Sequence, residues 1–186
     1  LDTAAGGVLT TSQGLRLNAG GNLSIPIGLL DDPAKQWQGI WNLDLAANGG
    51  NAAIVGGPST GKSTALRTIA ASLALTHTPS EAGIYAVDLL GSSLLPLEGL
   101  PHVGGVAVRT NREVVRRTVD EVLGMLTQRE RIFEKHQIDS LGTLRTLHAQ
   151  GRIPELPSAD IVLLVDGYGQ LSDEFEDIEK SVHALI

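Results

Sequence analysis

The chain has 186 residues, of which 42% are hydrophobic and only 3% aromatic, and its formal net charge at pH 7 is −7. This length fits one domain with a sizeable core, which must be built from Val, Ile, Leu and Ala, and that composition suits a parallel sheet covered by helices on both faces. The negative charge argues against a surface that coats nucleic acid, the absence of cysteine excludes disulfides and cysteine-ligated zinc, and no apolar run approaches the ~20 residues of a membrane span.

The N-terminal stretch carries few structural signals. Residues 1–22 are rich in Gly, Ala, Thr and Asn and show no sustained hydrophobic period, so we interpret them as an approach segment or linker. Residues 23–186 form the predicted domain. The chain does not begin with methionine, and we therefore expect it to be a piece of a longer protein.

Two short strands are predicted before the first strong motif. Residues 23–30 alternate well enough for an edge strand, in which Pro26 is tolerated, and residues 40–45 alternate again. Residues 31–33 turn the chain between these strands. Residues 48–50, Asn-Gly-Gly, predict a tight turn after the second strand.

The strongest motif is a glycine loop between an apolar run and a helix. Residues 52–55 predict a strand, residues 64–75 predict a helix, and residues 56–63 between them satisfy the P-loop pattern. In such a loop, glycines let backbone N–H groups and the helix N-terminus point at a polyphosphate. Lys62 would reach the β- and γ-phosphates, and the Ser63 hydroxyl would ligate Mg²⁺. The predicted nucleotide-binding residues are Gly57, Pro58, Ser59, Thr60, Gly61, Lys62, Ser63 and Thr64. The alternative is a glycine turn that matches the pattern by accident.

A second buried strand follows the helix after a loop at residues 76–79. Residues 84–88 form an apolar run that ends in Asp88. Ligands of open α/β sheets sit outside the C-terminal ends of the strands, so Asp88 is a candidate to face the nucleotide; the alternative is that it caps a turn. We expect structural roles for His77, held in the loop by the threonines beside it, and for His102 in a turn.

A long amphipathic helix is predicted after a third short strand at residues 104–108. Thr110 and Glu113 form a capping box, and the helix ends near His136. One face carries the apolar residues Val115, Val119, Val122, Leu126 and Phe133. Most of the basic residues lie elsewhere, and they are Arg116, Arg117, Arg129 and Arg131. We interpret them as a solvated face, with a phosphate or partner contact as the alternative.

The last strong signal is an apolar run that ends in an acid. Residues 161–165 followed by Asp166 have the Walker B form, in which a buried strand delivers a carboxylate to the Mg²⁺ shell beside Ser63. A shorter helix, residues 140–150, precedes this strand. Residues 172–186 predict an acidic amphipathic helix. Its apolar residues are Phe175, Ile178, Val182 and Leu185.

Together, these motifs resemble the FtsK/SpoIIIE-type ATPase domains of EccC, the motor of type VII secretion systems. The matching segments are residues 25–29 with 32–33, the P-loop through Thr64, and residues 73–79, 99–104, 115–117 with 129–130, and 165–169. They cover about residues 23–186 and are most similar to a downstream ATPase module of EccC, the second.

This resemblance implies a fold, ligands and partners. The fold is a RecA-like P-loop NTPase with a mostly parallel sheet and flanking helices, and the cofactors are ATP and Mg²⁺. The module would lie in the cytoplasm, on the inner face of the membrane, within a membrane-anchored complex that assembles as a hexamer. Its partners would be other ATPase modules of the motor, the membrane-embedded secretion complex and small helical-hairpin secretion substrates, but not nucleic acid.

Two departures from the family pattern limit what the resemblance implies. Members that hydrolyse ATP well have Glu directly after the Walker B Asp, and here that residue is Gly167. We therefore expect weak or no hydrolysis by a site that contains Lys62 and Asp166, with Asp88 as the nearest substitute for the missing glutamate. No segment supplies the later strand that the family has between the P-loop and Walker B strands. We thus expect the C-terminal part of the core to be missing and the isolated chain to be poorly stable.

Three functions compete at this point. The first is an ATP-binding module of a protein-translocating motor. The second is a regulatory or scaffolding module, in which nucleotide only sets an interface and the substrate's targeting segment docks in an apolar surface pocket. The third is a DNA translocase, which the net charge of −7 and the lack of a basic, aromatic-interleaved stretch disfavour.

Overall fold

The computed structural model describes residues 22–185, so residues 1–21 of the predicted approach segment lie outside the described residues. At its centre is a parallel sheet of three strands in the order β4 (Val103–Val108), β3 (Ala82–Asp88) and β5 (Asp160–Asp166). Every residue of β3 is buried, as expected for a middle strand that helices cover on both faces. The predicted α/β class, a parallel sheet with flanking helices, is confirmed.

Side chains alternate along β3, so its buried residues point to both faces of the sheet, and helices cover each face. Helix α1 (Lys62–Thr76) lies on the face of Ile84 and Ala86, where it contributes Ile69 and Leu73 to one hydrophobic cluster. Val87 points to the other face. There it shares a second cluster with α2 (Arg112–His136), α4 (Gly169–Glu174) and α5 (Glu176–His183).

A third cluster and two arginines fix the segment that leads into β5. Helix α3 (Leu141–Ala149) packs Leu144 against the end of α2. The Arg145 guanidinium donates two hydrogen bonds to Asp160 at the start of β5, at 2.7 and 3.0 Å. Arg129 donates to the Ser158 carbonyl at 2.8 Å, and burial lowers the pKa of this arginine. One of the predicted basic residues is thus a half-buried structural donor.

The two predicted N-terminal strands form a separate antiparallel hairpin of β1 (Ser24–Asp32) and β2 (Trp37–Asp44). The base of the hairpin is attached to α1. Ile25 is fully buried in the first hydrophobic cluster, and the Ser72 hydroxyl donates to the Pro26 carbonyl at 2.7 Å. The far end of the hairpin leaves Trp37 and Trp41 half-exposed.

The strand predicted at residues 52–55 is absent. Residues 51–57 form neither helix nor strand, all of them are exposed, and Val55 keeps 92% of its surface. Within the described residues, β5 has a neighbouring strand only on its β3 side. An apolar run can become a strand only where a partner satisfies its N–H and C=O groups, and this run has no such neighbour.

Two predicted helix boundaries are also wrong. The N-cap of α2 is Asn111, whose side chain accepts from the Val114 N–H at 3.2 Å, and not Thr110 with Glu113. The single helix predicted for residues 172–186 is two helices that meet at Phe175. Phe175 leaves the helical conformation there and is buried in the second hydrophobic cluster.

Ion pairs hold these last two helices against α2. Arg109 pairs with Glu174, and both Arg112 and Arg116 pair with Asp177. The hydrogen bond from Arg116 lowers the pKa of Asp177. Part of the basic face predicted for α2 is therefore an intramolecular contact. No described helix is both long and apolar enough to cross a membrane.

Candidate nucleotide site

The glycine loop leads directly into α1, as the motif predicts. Ser59 and Gly61 adopt left-handed backbone conformations with φ of 58° and 92°, and the helix begins at Lys62. No side chain caps this end of α1 in the described structure. The first N–H groups of a helix have no intrahelical acceptors, so they and the positive end of the helix dipole are available to an anion.

Lys62 is folded onto the loop. Its ammonium donates to the carbonyls of Gly56 at 2.9 Å and Gly57 at 2.6 Å, and the Thr60 hydroxyl also donates to Gly57 at 2.9 Å. A Cβ on Gly56 would lie 2.6 Å from the Thr60 hydroxyl oxygen, so any other residue there would displace this hydroxyl from its hydrogen bond to Gly57. The lysine thus lies over the loop whose amides would receive phosphates, and this arrangement fits a polyphosphate ligand.

The two strand-end carboxylates predicted from the sequence are brought together. Asp88 at the end of β3 and Asp166 at the end of β5 are register partners, with 0% and 2% of their surfaces exposed. The Ser93 hydroxyl lies between them, 3.0 Å from Asp88 Oδ2 and 3.3 Å from Asp166 Oδ2. The carboxyl ends of these adjacent parallel strands therefore form one buried acidic edge.

Asp88 anchors a turn. Its Oδ1 accepts the N–H groups of Leu90 at 3.1 Å and Gly91 at 2.9 Å, and its Oδ2 accepts the N–H of Leu94 at 3.0 Å besides the Ser93 hydroxyl. A carboxylate has about four lone-pair sites; three backbone N–H groups bind those of Asp88, and the Ser93 hydroxyl, whose single proton is shared with Asp166, lies at the fourth. The predicted role as substitute general base lacks a free acceptor, and the alternative, a turn cap, matches the hydrogen bonds.

The Asp166 carboxylate accepts fewer hydrogen bonds than that of Asp88. Within residues 22–185, the Ser93 hydroxyl is the one donor to its carboxylate, so acceptor sites remain for a cation. Ser63, in the first turn of α1, is half-buried. The described residues contain no group of three or more His, Asp or Glu side chains that could hold a metal ion. Mg²⁺ in nucleotide sites takes only one or two protein oxygens besides phosphate and water, so Ser63 and Asp166 fit the chemistry of that cation.

Gly167, directly after Asp166, has a backbone that favours glycine. Its φ is +83°, and a Cβ would lie 2.6 Å from Leu90 Cγ and 3.0 Å from Leu90 Cδ2. Leu90 therefore occupies the space into which a glutamate side chain would leave the backbone.

The two histidines singled out from the sequence are buried and structural. His77 Nδ1 lies 2.8 Å from the Thr76 hydroxyl, and its Nε2 lies 2.7 Å from the Asn22 carbonyl. His102 Nε2 donates to the His77 carbonyl at 2.9 Å. Of the two flanking threonines, only Thr76 holds His77, because the Thr78 hydroxyl bonds Glu81 instead.

Ser93 is the site residue that sequence reasoning missed. It stands five positions after Asp88 in a segment of Gly, Ser, Leu and Pro that predicts only an irregular connection. An Asp at a strand end followed by such residues does indicate a side-chain-capped turn. The contact with Asp166, 73 residues away in the chain, leaves no local signal.

Comparisons with known proteins identify relatives of this chain. A family model described as the FtsK/SpoIIIE family matches residues 32–185. Over 165 residues, or 88% of this chain, the sequence is 41% identical to the ESX-1 secretion system protein EccCb1 of Mycolicibacterium smegmatis, and it spans 28% of that protein's length.

Two solved structures are similar over 100% of the chain. One is Thermomonospora curvata EccC (ATPases 2 and 3) in complex with a signal sequence peptide, with a TM-score of 0.85 and 40% identity over 33% of that chain. The other is the cytoplasmic domain of the Thermomonospora curvata type VII secretion ATPase EccC, with the same TM-score and identity over 21% of that chain. The present chain is thus a third or less of the length of each protein compared.

Proposed function

Because this chain belongs to the FtsK/SpoIIIE family and is homologous to EccC of ESX type VII secretion systems, we propose that it is an ATP-binding module of a protein-secretion motor. The observation that carries this proposal is the glycine loop at the start of α1. It combines left-handed residues at Ser59 and Gly61, an uncapped helix N-terminus and Lys62 folded over the loop carbonyls.

Each residue of the loop has a distinct role in the proposed site. The backbone N–H groups of Gly57 and of residues 59–64 would bind the phosphate oxygens, and Lys62 would exchange its carbonyl acceptors for them. The Ser63 hydroxyl and the Asp166 carboxylate hold the cation. The bound Mg²⁺-nucleotide supplies the phosphoryl group and neutralises much of its charge.

We propose that the module binds ATP far better than it hydrolyses it. Hydrolysis requires a positioned group that orients and deprotonates the attacking water. Gly167 has no side chain, and Asp88 is engaged by three backbone N–H groups of the turn that it caps and by the hydroxyl of Ser93. In this account, nucleotide occupancy serves mainly to set contacts with neighbouring modules.

Homology supports the partners and the location that we propose. One solved relative is bound to a signal sequence peptide, and another is described as a cytoplasmic domain of a type VII secretion ATPase. We therefore propose a cytoplasmic module that works beside other ATPase modules in a hexamer and acts on small secretion substrates. A DNA-translocating role is disfavoured, because the net charge is −7 and three arginines near the start of α2 are engaged in ion pairs.

Lys62→Ala tests the proposed nucleotide site. Calorimetric titration with Mg²⁺-ATP should show saturable binding by the unmodified chain and none by the variant, because the loop loses its phosphate-binding cation. Lys35→Ala is the matched control, since Lys35 is exposed in the hairpin turn and should leave affinity unchanged. Unchanged affinity in Lys62→Ala would exclude the P-loop assignment.

A further inference from the structure

We propose that Ser93 is a positioning residue, whose hydroxyl fixes the orientation of the Asp166 carboxylate for a divalent cation. This inference rests on the proposed function of Asp166 and extends it to a residue that the P-loop and Walker motifs do not include. It starts from the one hydroxyl shared by two buried carboxylates, at 3.0 Å from Asp88 and 3.3 Å from Asp166.

The two carboxylates depend on this hydroxyl to different degrees. Three backbone N–H groups, of Leu90, Gly91 and Leu94, also donate to Asp88, so that side chain stays fixed without Ser93. Asp166 has no other donor within the described residues. The Ser93 hydroxyl has one proton, which the two carboxylates share, and without it the Asp166 carboxylate would have no hydrogen-bond donor in the described part of the chain. Removal of the hydroxyl therefore affects Asp166 far more than Asp88.

The turn that carries Ser93 is itself fixed against the end of β5. The Leu89 N–H donates to the Asp166 carbonyl at 2.9 Å, and the Leu90 side chain lies over the Cα of Gly167. With Ser93, the segment 89–94 thus contacts Asp166 at its backbone and at its side chain. This geometry makes Ser93 a rigid support for the carboxylate rather than a mobile surface serine.

The two neighbouring carboxylates also give a physical reason why the site would favour a bound cation. Asp88 and Asp166 are buried register partners on adjacent strands, and neighbouring like charges raise each other's energy. A cation on the Asp166 side would relieve this repulsion. Outer residues that orient a metal-ligating carboxylate typically change metal affinity by about 10–100-fold when they are removed.

The test compares ATP affinity of the full chain in excess Mg²⁺ and in EDTA, so that the contribution of the cation is separated from that of the P-loop. In Ser93→Ala, the gain in affinity that Mg²⁺ provides should fall by roughly tenfold, whereas affinity in EDTA should stay within about twofold of the unmodified chain. Ser93→Thr, which keeps the hydroxyl, should retain the gain. Ser92→Ala is the matched control, because the neighbouring Ser92 is exposed.

A second readout distinguishes positioning from a merely structural role. Because three backbone donors keep Asp88 in place, hydrogen exchange at the amides of Leu90, Gly91 and Leu94 should be unchanged in Ser93→Ala. Faster exchange at these amides, with equal losses of affinity in Mg²⁺ and in EDTA, would show that Ser93 only supports the turn and would overturn the inference.

Asp166→Asn and Lys62→Ala separate this inference from the proposed function. If Asp166→Asn abolishes the Mg²⁺ gain and Ser93→Ala does not, Ser93 has no positioning role and the nucleotide site stands. If Asp166→Asn keeps the increase in ATP affinity that Mg²⁺ provides while Lys62→Ala abolishes binding, Asp166 does not bind the cation. The inference about Ser93 is then wrong, and the nucleotide site remains. If the unmodified chain binds no ATP in either condition, the proposed function itself fails.

Discussion

Gly167 shows at the scale of one residue why this module lacks the usual glutamate. Its φ of +83° is readily adopted only by glycine, and the first side-chain atom of any other residue would meet Leu90 at 2.6 Å. The backbone of Leu90 is bonded to Asp88 in the adjacent turn, whereas its side chain is half-exposed. A glutamate at this position would therefore need both a left-handed backbone and a displaced Leu90 side chain.

Gly167→Glu should destabilise the chain by about 2–4 kcal/mol, because the left-handed backbone and the contact with Leu90 both oppose the new side chain. Urea denaturation measures this loss. The double variant Gly167→Glu with Leu90→Ala should recover the part that is due to the clash but not the backbone part. If Gly167→Glu alone were as stable as the unmodified chain, the conformation described for Gly167 would be wrong.

Among the secondary-structure elements, α2 begins beside two adjacent residues, Thr110 and Asn111, that could each serve as its N-cap. Thr110 and Asn111 are both residues that favour N-caps, and the sequence places Glu113 at capping-box distance from Thr110. In the structure, the Asn111 side chain accepts from Val114 N–H, which makes Asn111 the cap. Helix ends shift by a residue or two when adjacent positions can both cap.

Asn111→Ala should cost about 1 kcal/mol of stability, because a first-turn N–H of α2 loses its acceptor. Thr110→Ala, one residue earlier, is the matched control and should cost much less. The free energy of unfolding from urea denaturation compares the two. A larger loss in Thr110→Ala would favour the capping box predicted from the sequence.

Some helices, strands and candidate site residues could be predicted from the sequence, and others could not. Lys62 and Asp166 belong to local patterns with a fixed chemical purpose, and β3, β5 and α1 follow from hydrophobic periodicity; all of these were predictable. The absence of a strand at residues 52–55 could not be predicted, because a strand needs a hydrogen-bonded partner and hydrophobic periodicity does not show whether one is present. Ser93 was missed for a similar reason, since its contact with Asp166 joins segments distant in sequence.

Residues 22–185 have a substantial buried core, and both outer strands of the parallel sheet, β4 and β5, have an edge without a neighbouring strand. Three hydrophobic clusters pack around the sheet, but in the described part of the chain β5 has no neighbour on its outer edge and residues 51–57 are exposed. The half-buried Ile161, Val162 and Leu163 lie on that edge strand. Unpaired edges and exposed apolar side chains lower stability and favour association.

The 186-residue chain alone should therefore be only marginally stable, with a melting temperature at or below about 45 °C, the lower end for ordinary domains. Thermal unfolding followed by circular dichroism measures it, and saturating Mg²⁺-ATP should raise the midpoint because it binds only the folded state. Cooperative unfolding of the monomer above about 65 °C would show that the open edge of β5 does not lower the stability of the chain.

The measurement that tests the account most directly is steady-state ATP turnover by the unmodified chain, purified without neighbouring modules and saturated with Mg²⁺-ATP. We predict binding with turnover well below the ~1–100 s⁻¹ typical of phosphoryl-transferring kinases, because the loss of one positioned general base typically costs roughly 10²–10⁴-fold. Turnover of several ATP per second would contradict this account. Loss of such activity in Asp88→Asn would then identify Asp88 as the base.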